Sequence, residues 1–178
     1  MRKTGNIHIE KKGENPDIYV DRDDFVKKLK VCLCCSAGGH LAELQVLEKS
    51  WQGYDTFYLL MRGPTAAGLR DKGHRVYEVD NARRTAPWTM LKTLWQTWPI
   101  IRKEKPDVII TTGAGVVIPA CLLVKLKRGK LVYVETIAEV DRPTVTGRIL
   151  HPFADLFIVQ WPGLKKFFPK AKVGEPVL

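Results

Sequence analysis

The sequence has no apolar run long enough to cross a bilayer. Its longest, Val108 to Val124, is interrupted by Thr111-Thr112-Gly113-Ala114-Gly115 and by Pro119, whereas a spanning helix needs about 20 unbroken apolar residues. That stretch reads as strand, loop and helix, and no transmembrane helix is expected. Residues 1–30 are polar and charged throughout, so no signal peptide is expected either, and the chain reads as cytoplasmic. Cysteine is sparse, with Cys32, Cys34, Cys35 and Cys121 only. Three of these share one strand, where alternation points Cys32 and Cys34 to one face and Cys35 to the other. No histidine stands at ligand spacing beside them, so they read as small buried hydrophobes rather than as a zinc site, and no metal or other cofactor is expected.

Acidic residues are also in deficit. Lys+Arg number 29 against 19 Asp+Glu, a formal net charge of +10, which favours anionic partners without choosing among phosphorylated ligands, acidic lipid head groups and nucleic acid. No helix-turn-helix, RNA-recognition or zinc-finger pattern accompanies the charge, and nucleic acid is not expected. The first glycine loop is not G-x-G-x-x-G, and no acid closes the second strand to hold a ribose, which disfavours a dinucleotide. The absence of G-x-x-x-x-G-K-[ST] excludes a P-loop nucleotidase, and the absence of G-x-S-x-G weakens a hydrolase reading.

What is present is a regular alternation. Strand-like runs at Val31–Cys35, Thr56–Leu60, Arg75–Val79, Val108–Thr111, Leu131–Val134 and Leu156–Val159 are separated by helical patterns at 41–50, 65–72, 89–103, 118–125, 146–153 and 163–168. Such spacing implies βαβ crossovers and a single α/β domain over residues 31–178, a doubly wound Rossmann-like parallel sheet. Residues 1–30 form a polar extension outside this pattern, either flexible or folded into a short edge hairpin around 7–9 and 18–20.

Ligands of such sheets bind beyond the carboxyl ends of the strands. There the sequence offers Ser36-Ala37-Gly38-Gly39-His40 after the first strand, Arg83 and Arg84 after the third, and Thr112-Gly113-Ala114-Gly115 after the fourth. Glu135-Thr136 follows the fifth. Two glycine turns opening helices suit a phosphate or pyrophosphate held by backbone N–H groups, although glycines also serve close packing. His40 is the candidate general base because imidazole titrates near neutral pH. Glu135 is its rival, or the group that orients a sugar, and a plain helix-capping role for His40 stays open.

Two segments invite contacts outside the domain. Trp88, Leu91, Leu94, Trp95, Trp98 and Ile101 recur at helical spacing among Arg83, Arg84, Lys92, Arg102, Lys103 and Lys105. This pattern suits either an interfacial helix on anionic lipid or a core helix with a basic flank, and Pro99 must start, end or kink it. The tail from Leu164 to Leu178 mixes apolar and basic residues, with Phe167, Phe168, Val177 and Leu178 as candidate partner anchors. The alternative is that they cover the protein's own sheet edge.

The motifs, taken in order, resemble a known family. Ser36-Ala37-Gly38-Gly39-His40, Thr112-Gly113-Ala114-Gly115 with Pro119, Tyr133-Val134-Glu135-Thr136, Thr146-Gly147-Arg148 and Ala154-Asp155-Leu156-Phe157-Ile158-Val159-Gln160-Trp161-Pro162 look like the acceptor-binding subunit of two-component lipid-linked oligosaccharide glycosyltransferases. These include asparagine-linked glycosylation protein fourteen and the bacterial PssD-type proteins, and the N-terminal half of MurG is a more distant likeness. The resemblance implies one half of a GT-B glycosyltransferase. It would bind a polyprenyl-diphosphate-linked saccharide peripherally at the cytoplasmic membrane face, and a separate PssE-type subunit would bring a UDP-sugar. Under this reading Ser36, Gly38, Gly39, Arg83, Arg84, Gly113, Gly115 and Thr136 contact substrate, and Trp88, Leu91, Trp95 and Trp98 rest on the membrane. A non-catalytic scaffold that recruits the catalytic subunit is the alternative. The eukaryotic family's N-terminal anchor has no counterpart in the polar residues 1–30.

Overall fold

A computed structural model describes residues 7–11, 16–20, 28–82 and 86–174. Strands β1 (Ile7–Lys11) and β2 (Pro16–Val20) pair antiparallel as a two-stranded sheet of their own. The expected hairpin is therefore present, but it does not edge the main sheet.

Seven strands build that main sheet: β3 (Lys30–Cys35), β4 (Asp55–Met61), β5 (Val76–Val79), β6 (Val108–Thr111), β7 (Lys130–Val134), β8 (Leu156–Val159) and β9 (Lys172–Val173). All are parallel, in the order β5-β4-β3-β6-β7-β8-β9. The chain winds outward in one direction from β3 and in the other from β6, so the switch point of this Rossmann-like sheet lies between them. Helices α1 (Gly39–Val46), α2 (Thr65–Asp71), α3 (Pro87–Glu104), α4 (Val117–Leu126) and α5 (Val145–Leu150) cover the faces.

The alternation read from the cysteines holds. Cys32 and Cys34 pack with Phe57, Leu59, Ile109, Leu131 and the α4 residues Val117 and Cys121. Val31, Leu33 and Cys35 instead pack with Leu41, Leu44, Tyr58, Leu60 and Leu69. The four thiols are buried and unbridged, and desolvation pushes those of Cys32, Cys35 and Cys121 upward.

Several expected boundaries shift for local reasons. The helix expected over 41–50 ends at Val46, and residues Glu48–Trp51 tighten into a 3₁₀ turn. The one expected over 146–153 divides into α5 and a 3₁₀ turn that begins at His151, where Pro152 cannot donate to a continuing α-helix. The segment expected as a helix over 163–168 is also 3₁₀, Pro162–Lys166. Pro99 lies inside α3, which runs on to Glu104 and stops at left-handed Lys105 (φ 50°).

The tail requires a correction. Phe168 is 2% exposed, with its ring 4.5 Å from Phe157 and 4.9 Å from His151. It is a core side chain, unavailable as a partner anchor, because the following β9 pairs with β8 and draws the turn onto the sheet. Phe167 is 41% exposed, with Lys166 and Arg148 over its ring at 5.0 and 5.9 Å. Val177 and Leu178 lie outside the described residues.

Helix α3 presents an inverted pattern. Thr93, Thr97 and Ile101 are fully buried, while Trp88 (71% exposed), Leu91 (57%), Trp95 (75%) and Trp98 (42%) face outward. The stripe read from the sequence thus divides: Ile101 is core, Leu94 packs partly against it, and the other four are surface. The inward threonines are accommodated by hydrogen bonding where a partner exists, as Thr93 Oγ1 donates to the carbonyls of Asp80 (3.1 Å) and Thr89 (2.9 Å). Among the described residues no helix is long and apolar enough to cross a membrane.

Candidate functional site at the switch point

An open cleft of about 660 Å³ sits at the carboxyl ends of β3 and β6. One wall is His40 on α1 with Ala114 and Gly115 on the loop before α4. The other is the segment carrying Glu139, Arg142, Pro143, Thr144, Val145 and Thr146, and Asn81 and Ala82 close one side.

The first loop reaches this place because Gly38 adopts φ 84° as the cap of α1, a conformation that glycine takes without a Cβ penalty. Its carbonyl accepts from Leu41 N and Ala42 N. The N–H groups of Gly39 and His40 have no hydrogen bond among the described residues. The second loop is more strained. Gly113 (φ 111°) is followed by Ala114 at φ 87°, where a non-glycine residue costs about 1–3 kcal/mol, a kind of outlier that gathers at functional sites. Ala114 and Gly115 likewise carry no bond on their N–H groups among the described residues. Two helix N-termini, each with free donors, therefore open on one cleft. Thr112 Oγ1 donates to the His40 carbonyl at 2.7 Å and fastens one loop to the other.

Not every residue expected at the site reaches the cleft. His40 does, and its Nδ1 is buried without a partner among the described residues. Ser36, Gly38 and Gly39 belong to the loop entering α1, and of that loop only His40 lines the cleft. Gly113 is buried and its N–H donates to Thr111 Oγ1 at 3.0 Å, so that donor is committed within the protein. A Cβ there would stand 2.9 Å from Tyr133 Oη and 3.6 Å from His40 Cε1. Gly113 thus makes room for side chains. Gly115 lines the cleft, and its Cβ would stand 2.9 Å from the Ala82 carbonyl. Arg83 and Arg84 lie outside the described residues.

The two remaining candidates are structural in position. Glu135 is fully buried beneath α5, its Oε1 accepting from Thr144 N at 3.1 Å and its Oε2 unpartnered among the described residues, beside Gly147. Desolvation raises its pKa above the ordinary carboxylate value, against the lowering by Thr144, and the charges of Glu139 and Glu43 add to the rise. Thr136 is 6% exposed and its hydroxyl donates to Glu43 Oε1 at 2.6 Å. Neither residue is among the cleft lining.

The sequence reading missed Glu139, Arg142 and Thr144 in the cleft, and Glu43 behind it. The signal for Glu43 was available: it stands one helical turn after His40 and so shares its helix face. For residues 139–145 the sequence carried only polarity.

The comparisons match this architecture. Over residues 72–175 the chain fits the family described as oligosaccharide biosynthesis protein Alg14 like. It is 35% identical over 103 residues to the human UDP-N-acetylglucosamine transferase subunit ALG14, covering 54% of this chain and 48% of that protein. The chain therefore spans about half the length of that relative. With the Saccharomyces cerevisiae protein of the same name it is 28% identical over 184 residues, 85% of this chain and 78% of that one. Among solved structures, Acinetobacter baumannii MurG superposes with a TM-score of 0.69 at 19% identity, over 83% of this chain and 45% of MurG. A Methanocaldococcus jannaschii UDP-GlcNAc 2-epimerase in complex with UDP-GlcNAc and UDP gives 0.62 at 14% identity, over 83% and 46%. Both likenesses show a shared Rossmann-like fold that makes up under half of the larger proteins. With a family match across more than half of its 178 residues, this chain belongs to the Alg14-like family of oligosaccharide biosynthesis proteins.

Proposed function

We propose that the chain is the acceptor-binding subunit of a two-component glycosyltransferase. It holds the diphosphate of a polyprenyl-diphosphate-linked saccharide at the N-termini of α1 and α4, and a separate donor-binding subunit supplies a UDP-sugar. The observation that carries this reading is the convergence of His40, Ala114 and Gly115, whose N–H groups carry no hydrogen bond among the described residues, on one cleft. Such donors at two helix ends favour an anion, and exposed Arg142 in the opposite wall adds a positive charge. The relatives' name, UDP-N-acetylglucosamine transferase subunit, agrees with a chain that needs a partner.

In the reaction, the free N–H groups hold the acceptor's diphosphate and fix the reach of its sugar into the cleft. The imidazole of His40 accepts the proton of the attacking hydroxyl as the glycosidic bond forms and the nucleoside diphosphate departs with the partner subunit. Glu135 takes no proton from substrate in this scheme, being sealed under α5. The exposed face of α3 rests on an anionic membrane surface. Trp88, Leu91, Trp95 and Trp98 are joined there by exposed Leu126 on α4, and Lys127 lies 5.3 Å from the Trp98 ring, a mixture suited to the lipid head-group layer.

The test is His40→Ala in the complex reconstituted with its donor subunit. Turnover should fall by about 10²–10⁴-fold, the range for loss of a general base, with acceptor binding kept. Turnover within about threefold of wild type, against that range, would place the chemistry in the partner and leave this chain a recruiting scaffold.

A further inference from the structure

Behind His40 lies an acid that the proposed reaction does not use. Glu43 is one turn further along α1 and 2% exposed. Its Oε1 accepts from the Thr136 hydroxyl at 2.6 Å and from Ile137 N at 3.1 Å. These donors begin the segment that becomes the far wall of the cleft, so a single carboxylate oxygen ties the His40 wall to the wall opposite, across the end of β6. The second oxygen, Oε2, is buried with no partner among the described residues, and so is His40 Nδ1.

These two orphans are chemically complementary. A carboxylate oxygen only accepts, and one imidazole nitrogen must donate in the neutral ring. They sit three residues apart on one helix, where side chains are neighbours, and buried polar atoms in native proteins are almost always paired. We infer that Glu43 is the positioning residue of this site: its Oε1 fixes the wall at Thr136 and Ile137, and its Oε2 takes the Nδ1 proton of His40 in the working site. The ring is then held as the tautomer whose Nε2 is free to receive the acceptor's proton. Nothing in the chemistry consumes Glu43, which carries the same charge before and after transfer. The inference deepens the transferase reading and rests on it only for the kinetic part of its test.

Glu43→Gln is the informative variant because its outcome has a direction. The Ile137 N–H can only donate, so it fixes the new amide with its oxygen toward Ile137 and Thr136. The NH₂ group then stands where Oε2 was and faces Nδ1 as a donor. The wall is preserved, while the preferred tautomer of His40 inverts. Nitrogen-15 spectra of the imidazole in the full chain should show protonated Nδ1 in the wild type and protonated Nε2 in E43Q. Glu135→Gln serves as the control and should leave the tautomer as it is. In the reconstituted enzyme, E43Q should lower kcat by about a hundredfold, as expected when a general base presents its wrong nitrogen, with the donor KM unmoved and the thermal midpoint near that of wild type. The same tautomer in both proteins, or protonated Nε2 in the wild type, overturns the inference. A wild-type complex that transfers no sugar refutes the transferase reading instead, and the imidazole spectra then judge Glu43 by themselves.

Discussion

Gly147→Ala sets two opposed effects against each other at a position where the structure decides the sign. Gly147 lies in the first turn of α5, and replacing a helical glycine by alanine ordinarily stabilises by about 1 kcal/mol. Here a Cβ would overlap Glu135 Oε2 outright and stand 2.9 Å from Thr144 Oγ1, the oxygen that caps α5 by accepting from Gly147 N at 2.8 Å. Neither neighbour is free to move. Glu135 is fully buried, and its Oε1 is the acceptor for Thr144 N. Overpacking costs about 1–3 kcal/mol, and breaking the buried Glu135–Thr144 bond costs about 1–3 kcal/mol more. The clash should therefore win, with a net loss of about 3 kcal/mol and a fall in thermal midpoint of about 6–12 °C for a domain of this size. Thermal and urea unfolding of G147A, E135A and the double variant measure it. In the E135A background the obstructing oxygen is gone, and G147A should become neutral or slightly stabilising. A G147A protein as stable as wild type, or an equal loss in both backgrounds, would refute the placement of Glu135 beneath α5.

Further outcomes follow from the same geometry. Burial raises the Glu135 pKa above its unfolded value of 4.5, so its contribution to stability is complete below about pH 4.5 and is lost as the pH climbs through the folded value. Glu135→Gln keeps an acceptor for Thr144 N, and its urea midpoint relative to wild type should improve as pH rises from 4 to 8; a constant difference would count against the assignment. Phe168→Ala should destabilise by about 3–5 kcal/mol as a truncated core aromatic, whereas Phe167→Ala should stay within about 0.5 kcal/mol, as for an ordinary surface change; similar losses at both would contradict the burial contrast. Trp95→Ser with Trp98→Ser should reduce co-sedimentation with anionic liposomes and leave the thermal midpoint unchanged, because both rings face outward. Unfolding of that double variant would return the tryptophans to the core.

The period of the sequence was enough to determine the parallel sheet. β3 through β8 are short runs rich in β-branched and apolar residues, with β3 and β4 buried on both faces, and that pattern is local, so their positions and even the opposite facing of Cys32 and Cys35 follow from alternation alone. The glycine turns after β3 and β6 were equally legible, since a left-handed cap such as Gly38 is a demand of the backbone where it stands. Which groups then meet is not a local property. A stripe at helical spacing says that α3 has two faces, but only the sheet it packs on decides that Thr93 and Thr97 turn inward while Trp88 and Trp95 face out. Adjacent Phe167 and Phe168 look alike in the chain, and pairing of β9 with β8 separates them into surface and core. Glu135 ends its strand where a catalytic carboxylate could stand, yet the turn into α5, which needs Gly147, closes over it. Glu43 reaches Thr136 and Ile137 across 93 and 94 residues of sequence. The chain fixes its own periods and turns through neighbouring residues; the inside, the outside and the partners of each acid come from contacts between segments that only the packed sheet brings together.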